Sequence, residues 1–215
     1  MRTRPGFISF YYGAMRARKT PEAVLAAERE QIARNDHRPV LFLKPGADTR
    51  DADMRSFSGL SRKCELLPTS SNSAFNTLLE RLVDKSICVI DEVQFLPLPK
   101  DSDYNDFVID RYLQLFIAGA KAGCAIFLAG LDADFLGQPF DISRSLLLDP
   151  RVRRVQLYPV CATCGSEHAT LTQRLFHGKP APRSMPSILP EGENEAVTYE
   201  PRCLHCHVIE DEAIS

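Results

Sequence analysis

The run Ser86-Ile87-Cys88-Val89-Ile90 ends on two adjacent acids, Asp91-Glu92, followed by Val93-Gln94-Phe95. Its apolar residues are rich in β-branching and do not alternate with polar ones. That is the pattern of a strand buried on both faces, inside a parallel sheet covered by helices. Burying two neighbouring carboxylates in such a core is costly, so the pair belongs where the strand ends. It stands there either in a solvated turn or at a ligand cleft along the carboxyl edge of the sheet. The run alone leaves both readings open.

A second segment bears on the choice. Phe7 to Tyr12 reads as a first strand, stopped by Gly13. Gly13-Ala14-Met15-Arg16-Ala17-Arg18-Lys19-Thr20 then has the length and ends of a phosphate-binding loop, G-x-x-x-x-G-K-[ST], with Arg18 where the second glycine belongs. In such a loop successive backbone N–H groups face phosphate oxygens, the lysine reaches the β/γ-phosphates and the hydroxyl binds Mg²⁺. A helix amino terminus adds a favourable dipole. Pro21 and Glu22 suit the first turn of a helix continuing over 22–34. Strand, short loop and helix form the context that the loop requires, although one altered position keeps the match from being decisive by itself.

Farther along, Val40 to Leu43 reads as a second buried strand that leaves through the polar loop Lys44 to Arg50, and residues 51–63 read as irregular. A short strand is expected at 64–67 and a helix over 74–83, capped by the Ser/Asn cluster at 70–73. A long helix over 106–122, a buried strand over 124–129, at most a short helix over 143–149 and a last strand over 152–157 complete the pattern. Strands alternating with helices predict an α/β fold with a parallel sheet. The loops at 13–20, 44–50, 91–95 and 130–135 would all emerge at its carboxyl edge.

The 215 residues suit one medium domain plus a small appendage. A net charge of −2 argues against a dedicated nucleic-acid binder. Residues 1–20 nevertheless carry Arg2, Arg4, Arg16, Arg18 and Lys19 with no acid, which suits an anionic ligand or a solvated basic terminus. With no signal-peptide pattern and no apolar stretch approaching a membrane span, a cytoplasmic location with reduced thiols is expected, with no membrane partner.

Cys64, Cys88 and Cys124 fall in or beside apolar strands and read as small core residues. Cys161-x-x-Cys164 and Cys203-x-x-Cys206 instead match a four-thiolate Zn²⁺ site, structural because four protein ligands leave no open position. A redox or disulfide reading fits a lone C-x-x-C better. His205 and His207 flank the second knuckle and are expected at the surface. Between the knuckles, Phe176 to Val197 is proline-rich, without periodicity, and reads as a long loop.

These residues together resemble the thymidine kinase family of the zinc-containing type, from about Phe7 to Cys206. The resemblance rests on Gly13…Lys19-Thr20, Asp48-Thr49-Arg50, Asp91 to Phe95, Gly130-Leu131-Asp132-Ala133-Asp134-Phe135 with Pro139-Phe140, and Cys161-x-x-Cys164-Gly165. It continues through Ala169 to Leu175 and Tyr199-Glu200-Pro201-Arg202-Cys203-x-x-Cys206. It implies a P-loop NTPase-like parallel sheet flanked by helices over 1–158, a small zinc-binding lasso domain over 159–210 and an acidic tail over 211–215. It further implies transfer of the γ-phosphoryl of ATP, with Mg²⁺, to the 5′-hydroxyl of thymidine or deoxyuridine in pyrimidine salvage, by a homotetramer. By resemblance Glu92 is the general base, with Asp91 behind it near Mg²⁺. Gly13, Ala14, Met15, Arg16, Ala17, Arg18, Lys19 and Thr20 would hold phosphates, with Asp48, Arg50 and Gln94 as further contacts on that side. Met15, Phe95, Leu131, Phe135, Thr172, Ile188 and Tyr199 match positions that line the nucleoside pocket. Ala14, Ala17 and Arg18 depart from the family's loop, and Gly192 alone stands near the place of its Gly-Gly before the tyrosine. Two rivals stand beside this reading: a catalytically weak or inactive nucleotide-binding or nucleoside-binding relative, favoured by Arg18, and a zinc-ribbon interaction module on an ATPase core, acting on a macromolecule.

Overall fold

Two segments with every residue buried, Ile87–Ile90 and Ala125–Gly130, form the centre of the main sheet. The computed structural model describes residues 4–46, 53–55, 59, 61–83, 85–98, 106–189 and 196–210, with backbone alone over 106–110. In chain order the elements are β1 (Phe7–Tyr12), α1 (Lys19–Arg34), β2 (Leu41–Pro45), β3 (Asp53–Arg55), β4 (Ser61–Lys63), β5 (Glu65–Leu67), α2 (Ser71–Arg81) and β6 (Ile87–Ile90). There follow a 3₁₀ turn (Val93–Phe95), α3 (Asp106–Lys121), β7 (Ala125–Gly130), α4 (Asp141–Leu148), β8 (Val152–Gln156), β9 (Leu171–Phe176), β10 (Lys179–Pro180) and β11 (Val197–Arg202).

The main sheet has the order β5-β2-β6-β7-β1-β8, and every pairing in it is parallel. Side chains alternate across it because a strand has a period of two. Ile8, Phe10, Cys88, Ile90, Ile126 and Leu128 face α2, α3 and α4, packing with Leu78, Phe116 and Leu146. Tyr11, Ile87, Val89, Ala125, Phe127 and Ala129 face the other way, against Ala23, Val24 and Ala27 of α1. Small residues at Ala23, Ala27, Ala125 and Ala129 let that helix lie close to the strands. Each large apolar side chain withdrawn from water contributes about 1.5–3 kcal/mol, so strands covered on both sides dominate the stability.

The chain leaves β1 through α1 on one face and moves to β2; it leaves β7 through α4 on the other face and moves to β8. The neighbouring strands β1 and β7 therefore straddle the topological switch point, where a crevice opens at the carboxyl edge of an open α/β sheet. The loops after β1, β6 and β7 meet there.

Two expectations change and two helix boundaries shift. Residues 53–55 and 61–63, expected to be irregular, pair as the antiparallel strands β3 and β4. With three residues apiece, mostly charged, they carry no alternation long enough to read. Helix α4 begins at Asp141 and is a full two turns, while α2 starts at Ser71 behind Ser70, whose hydroxyl accepts from Ser73 N–H. Finally, β10-β9-β11 form a second, antiparallel sheet around what had read as a loop. The buried residues of β9 include Thr172, Gln173 and Arg174. A strand whose inner side chains are polar is invisible to an apolar-pattern reading. Among the described residues no helix is long and apolar enough to cross a membrane.

Candidate active site

The 13–20 loop is shaped by one glycine and two strained arginines. Gly13 has φ +142, and a Cβ added there would lie 2.2 Å from the Leu157 carbonyl oxygen. Only glycine lets the end of β8 approach so closely. Arg16 and Arg18 both adopt left-handed backbone, each with φ 63. Position 18 thus does require the conformation that glycine favours, and arginine holds it at a cost of about 1–2 kcal/mol. The loop still delivers α1 in register: Glu22 N–H donates to the Arg18 carbonyl, and Lys19 Nζ donates to the Ala14 carbonyl at 2.9 Å. Burial pushes the Lys19 ammonium down from its ordinary pKa, and the carboxylates of Glu92, Asp91 and Asp132 push it back up.

The acids lie against this loop rather than in a solvated turn. Thr20 Oγ1 donates to the Asp91 carboxylate, with 3.0 and 2.9 Å to its two oxygens, and Glu92 N–H donates to Asp91 Oδ1 at 3.0 Å. Asp91 is only 6% exposed. Burial, then the neighbouring Glu92 charge, lift its pKa from 3.8 to about 7 against the pull of Thr20, the Glu92 amide and Lys19. Glu92 has left-handed backbone, φ 49 and ψ 42. Strain of this kind is characteristic of functional positions. Gln94 grips it from below: Gln94 Nε2 donates to Glu92 Oε2 at 2.5 Å, while Gln94 Oε1 accepts from Leu131 N–H at 3.0 Å. Gly130 makes room for that amide, since a Cβ there would lie 2.6 Å from Gln94 Oε1.

An acid pushed up from 3.8 to about 7 keeps its proton in the folded chain where the unfolded chain has lost it. Ionising it therefore draws stability down as pH rises through that window, and the loss is complete above the folded pKa. Asp91→Asn is expected to stabilise the ligand-free protein at pH 8 by on the order of 1–3 kcal/mol, a gain that shrinks toward pH 4. Thermal unfolding across that range checks it. A Tm difference that does not vary with pH would show that the buried charge is not the source.

Asp132 was not singled out by sequence. Burial raises its pKa, and it lies in the field of Lys19. The available signal was positional: Asp132 follows β7 at the carboxyl edge much as Asp91 follows β6.

On the other side of the loop, Met15 N–H donates to Thr172 Oγ1 at 3.1 Å, joining the first β-loop to β9. Phe95 meets Phe140 edge-on at 6.4 Å, and Phe135 and Tyr199 both stack on Arg174. Ile188 is half exposed, in a stretch whose carbonyls are tied to Arg174 and Tyr199. These contacts tie Met15 to Thr172, Leu131 through Gln94 to Glu92, and Phe135 and Tyr199 to Arg174. Asp48 and Arg50 lie outside the described residues. His207, expected at the surface, instead places Nε2 2.9 Å from the Phe135 carbonyl. Gln173 clasps the same terminal segment, its amide donating to the Val208 carbonyl and accepting from Val208 N–H, both at 2.8 Å.

The sulfur atoms of Cys161, Cys164, Cys203 and Cys206 all lie within 4.8 Å of one another, Cys164 and Cys203 at 3.7 Å. A tetrahedron with Zn–S bonds of about 2.3 Å has edges of about 3.8 Å, so the donor set fits Zn²⁺ in number, chemistry and spacing. The backbone N–H of Cys164 helps pull the Cys161 thiol down to about 6, while hydrogen bonding to Cys164 and Cys203 pushes the Cys206 thiol up to about 12, so Cys161 ionises before Cys206. Cys88 and Cys124 are fully buried, and burial pushes the Cys88 thiol up, as befits inert core residues.

The sequence profile described as "TK: Thymidine kinase" matches residues 6–207. A "Thymidine kinase" of Thermococcus kodakarensis is 33% identical over 211 residues, covering 96% of this chain and 96% of that one. Another, of Mesoplasma florum, is 32% identical over 209 residues, covering 95% of this chain and 93% of that one. A solved large terminase of a thermophilic bacteriophage overlays with a TM-score of 0.38 at 12% identity, over 72% of this chain and 41% of that one, a likeness with no functional weight.

Proposed function

The chain belongs to the thymidine kinase family, and from that premise we propose that it transfers the γ-phosphoryl of ATP to the 5′-hydroxyl of thymidine or a related pyrimidine deoxynucleoside. The observation carrying this reading is the hydrogen-bonded junction of the phosphate loop with the acid pair, Thr20 to Asp91 at 2.9–3.0 Å, beside the half-buried Lys19. It unites a cationic phosphate cradle with a carboxylate that can take a proton.

In this reading the backbone N–H groups of residues 13–20 and the Lys19 ammonium hold the donor phosphates, Lys19 exchanging the Ala14 carbonyl for phosphate oxygen. Thr20 and Asp91 are the residues that would hold Mg²⁺, which when bound neutralises phosphate charge. Glu92, oriented by Gln94, takes the proton of the 5′-hydroxyl. Since phosphoryl transfer passes through a loose transition state, positioning and charge neutralisation carry more of the rate than proton removal. Leu131 shares the Gln94 amide with Glu92, so the side chain facing the nucleoside and the base move together. Zn²⁺ on the four cysteines ties β9 and β11 together at their base; residues 1–158 act as the kinase core and 159–210 as the lasso domain. A cytoplasmic homotetramer serving pyrimidine salvage completes the proposal, and sedimentation tests the tetramer.

The deciding experiment is Mg²⁺-ATP-dependent phosphorylation of thymidine by the purified protein, with Arg18→Gly assayed beside it. The native protein is expected to be active. Arg18→Gly is expected to change stability by less than about 1 kcal/mol, because relief of left-handed strain opposes the added entropy of glycine. Silence in both proteins would overturn the reading; activity restored only by glycine would identify a kinase disabled at one position. No observation favours that disabled form.

A further inference from the structure

Arg174 is 1% exposed, one of the most deeply buried side chains in the protein. A guanidinium offers five N–H donors in one rigid plane. Here Nε donates to Tyr199 Oη at 2.8 Å, Nη1 to the Pro186 carbonyl, and Nη2 to the Ser187 carbonyl at 2.7 Å. The same plane lies 4.0 Å from the centre of the Phe135 ring and 5.2 Å from that of Tyr199. Tyr199 Oη in turn donates to the Leu189 carbonyl at 2.5 Å. Among the described residues no carboxylate forms an ion pair with Arg174, although Asp134 lies within electrostatic reach. A cation buried in this way depends on carbonyl oxygens and aromatic faces.

The partners are unequal. Tyr199 lies in β11 and Phe135 is buried in the turn after β7, whereas residues 186–189 pair with no strand among the described residues and are largely exposed. Hydrogen bonds from Arg174 and Tyr199 reach three of the four carbonyls in 186–189. That segment carries Ile188.

We propose that Arg174 is the positioning residue of the nucleoside lid. It latches 186–189 over the Phe135 and Tyr199 rings before the nucleoside arrives, so the segment is preorganised and binding does not bear its ordering cost. The proposal rests on the thymidine kinase reading for the identity of the ligand. The latch itself stands on the geometry alone.

The test uses the full-length, zinc-containing protein with Arg174→Gln, Arg174→Lys and Tyr199→Phe. Losing the latch is expected to raise the thymidine KM by about tenfold or more in Arg174→Gln, with kcat at saturating thymidine held within about threefold and the ATP KM unchanged. Arg174→Lys keeps the charge but not the fork, and is expected to fall between. Zinc content is expected to stay stoichiometric. Without thymidine, protease is expected to cut within 183–189 faster in Arg174→Gln than in the native protein, and saturating thymidine to restore protection. An unchanged thymidine KM with unchanged cleavage overturns the latch. So does a joint loss of zinc and of both substrates' affinities, which would make Arg174 a support of the whole fold. Should Arg174→Gln fail to fold, Tyr199→Phe removes one latch bond and the Leu189 tether, and is judged by the same cleavage. If the native protein does not phosphorylate thymidine, the kinase reading falls, while the comparison of cleavage rates still decides the latch.

Discussion

Glu92→Gln is expected to lower kcat by about two to three orders of magnitude while leaving ATP binding intact. The substitution is nearly isosteric, and its carbonyl oxygen can still accept from Gln94 Nε2, so the 2.5 Å contact that orients the side chain need not be lost. Glutamine at φ 49 is no more strained than glutamate. What disappears is the proton acceptor and one negative charge. Glu92 is the second-largest cause of the raised Asp91 pKa, after burial, so removing it lowers that pKa and leaves Asp91 more fully ionised at neutral pH. ATP affinity is therefore expected to hold or tighten as turnover falls. Thymidine turnover and ATP titration on the same preparation measure both. Full turnover by the variant would remove Glu92 as the base.

Cys203→Ser is expected to have the largest structural effect. Cys203 is buried beside Cys161 and Ala169 in a cluster with few other apolar partners. The sheet beside it has three strands, one only two residues long, and the buried residues of β9 are polar, leaving Val197, Tyr199 and Pro201 of β11 as the main apolar content. So small an apolar core is weak support for a sheet of this size, and a metal held by the four cysteines, as proposed, would supply the missing folding free energy, on the order of 10 kcal/mol. Three thiolates and a hydroxyl bind zinc far more weakly than four thiolates. The variant is expected to lose zinc and to lose protection from hydrogen exchange over 159–210. The main sheet, with its own two apolar layers, should keep its protection and its ATP binding. Thymidine phosphorylation is expected to fall severely, because Thr172, Arg174 and Tyr199 lose their frame together and His207 no longer meets the Phe135 carbonyl. Metal analysis of the native protein is the control. A folded native chain without stoichiometric zinc would sink the four-thiolate assignment.

The fold and the site were legible to different depths. The buried strands β6 and β7 announced themselves because a segment covered on both faces must be apolar throughout. The two C-x-x-C pairs were legible because a metal demands particular ligands at short spacing, and all four sulfurs converge. The strand β9 was hidden because its interior is lined by Thr172, Gln173 and Arg174, side chains buried for their hydrogen bonds rather than their hydrophobicity. Asp132 was passed over because a lone acid after a strand is common, and only the proximity of Lys19 distinguishes it.

Sequence by itself determined the class of fold, the edge of the sheet at which chemistry collects, the four cysteines that cluster and the family. Each is written in local patterns: period, glycine and lysine spacing, paired cysteines. Tertiary structure alone decided how the parts act on one another. It made Gln94 the clasp between Glu92 and Leu131, joined Met15 to Thr172, set His207 against Phe135, and made Arg174 the anchor of 186–189. The reason is physical. A hydrogen bond or a cation over a ring depends on distance and direction between residues far apart in the chain, and no local pattern encodes either.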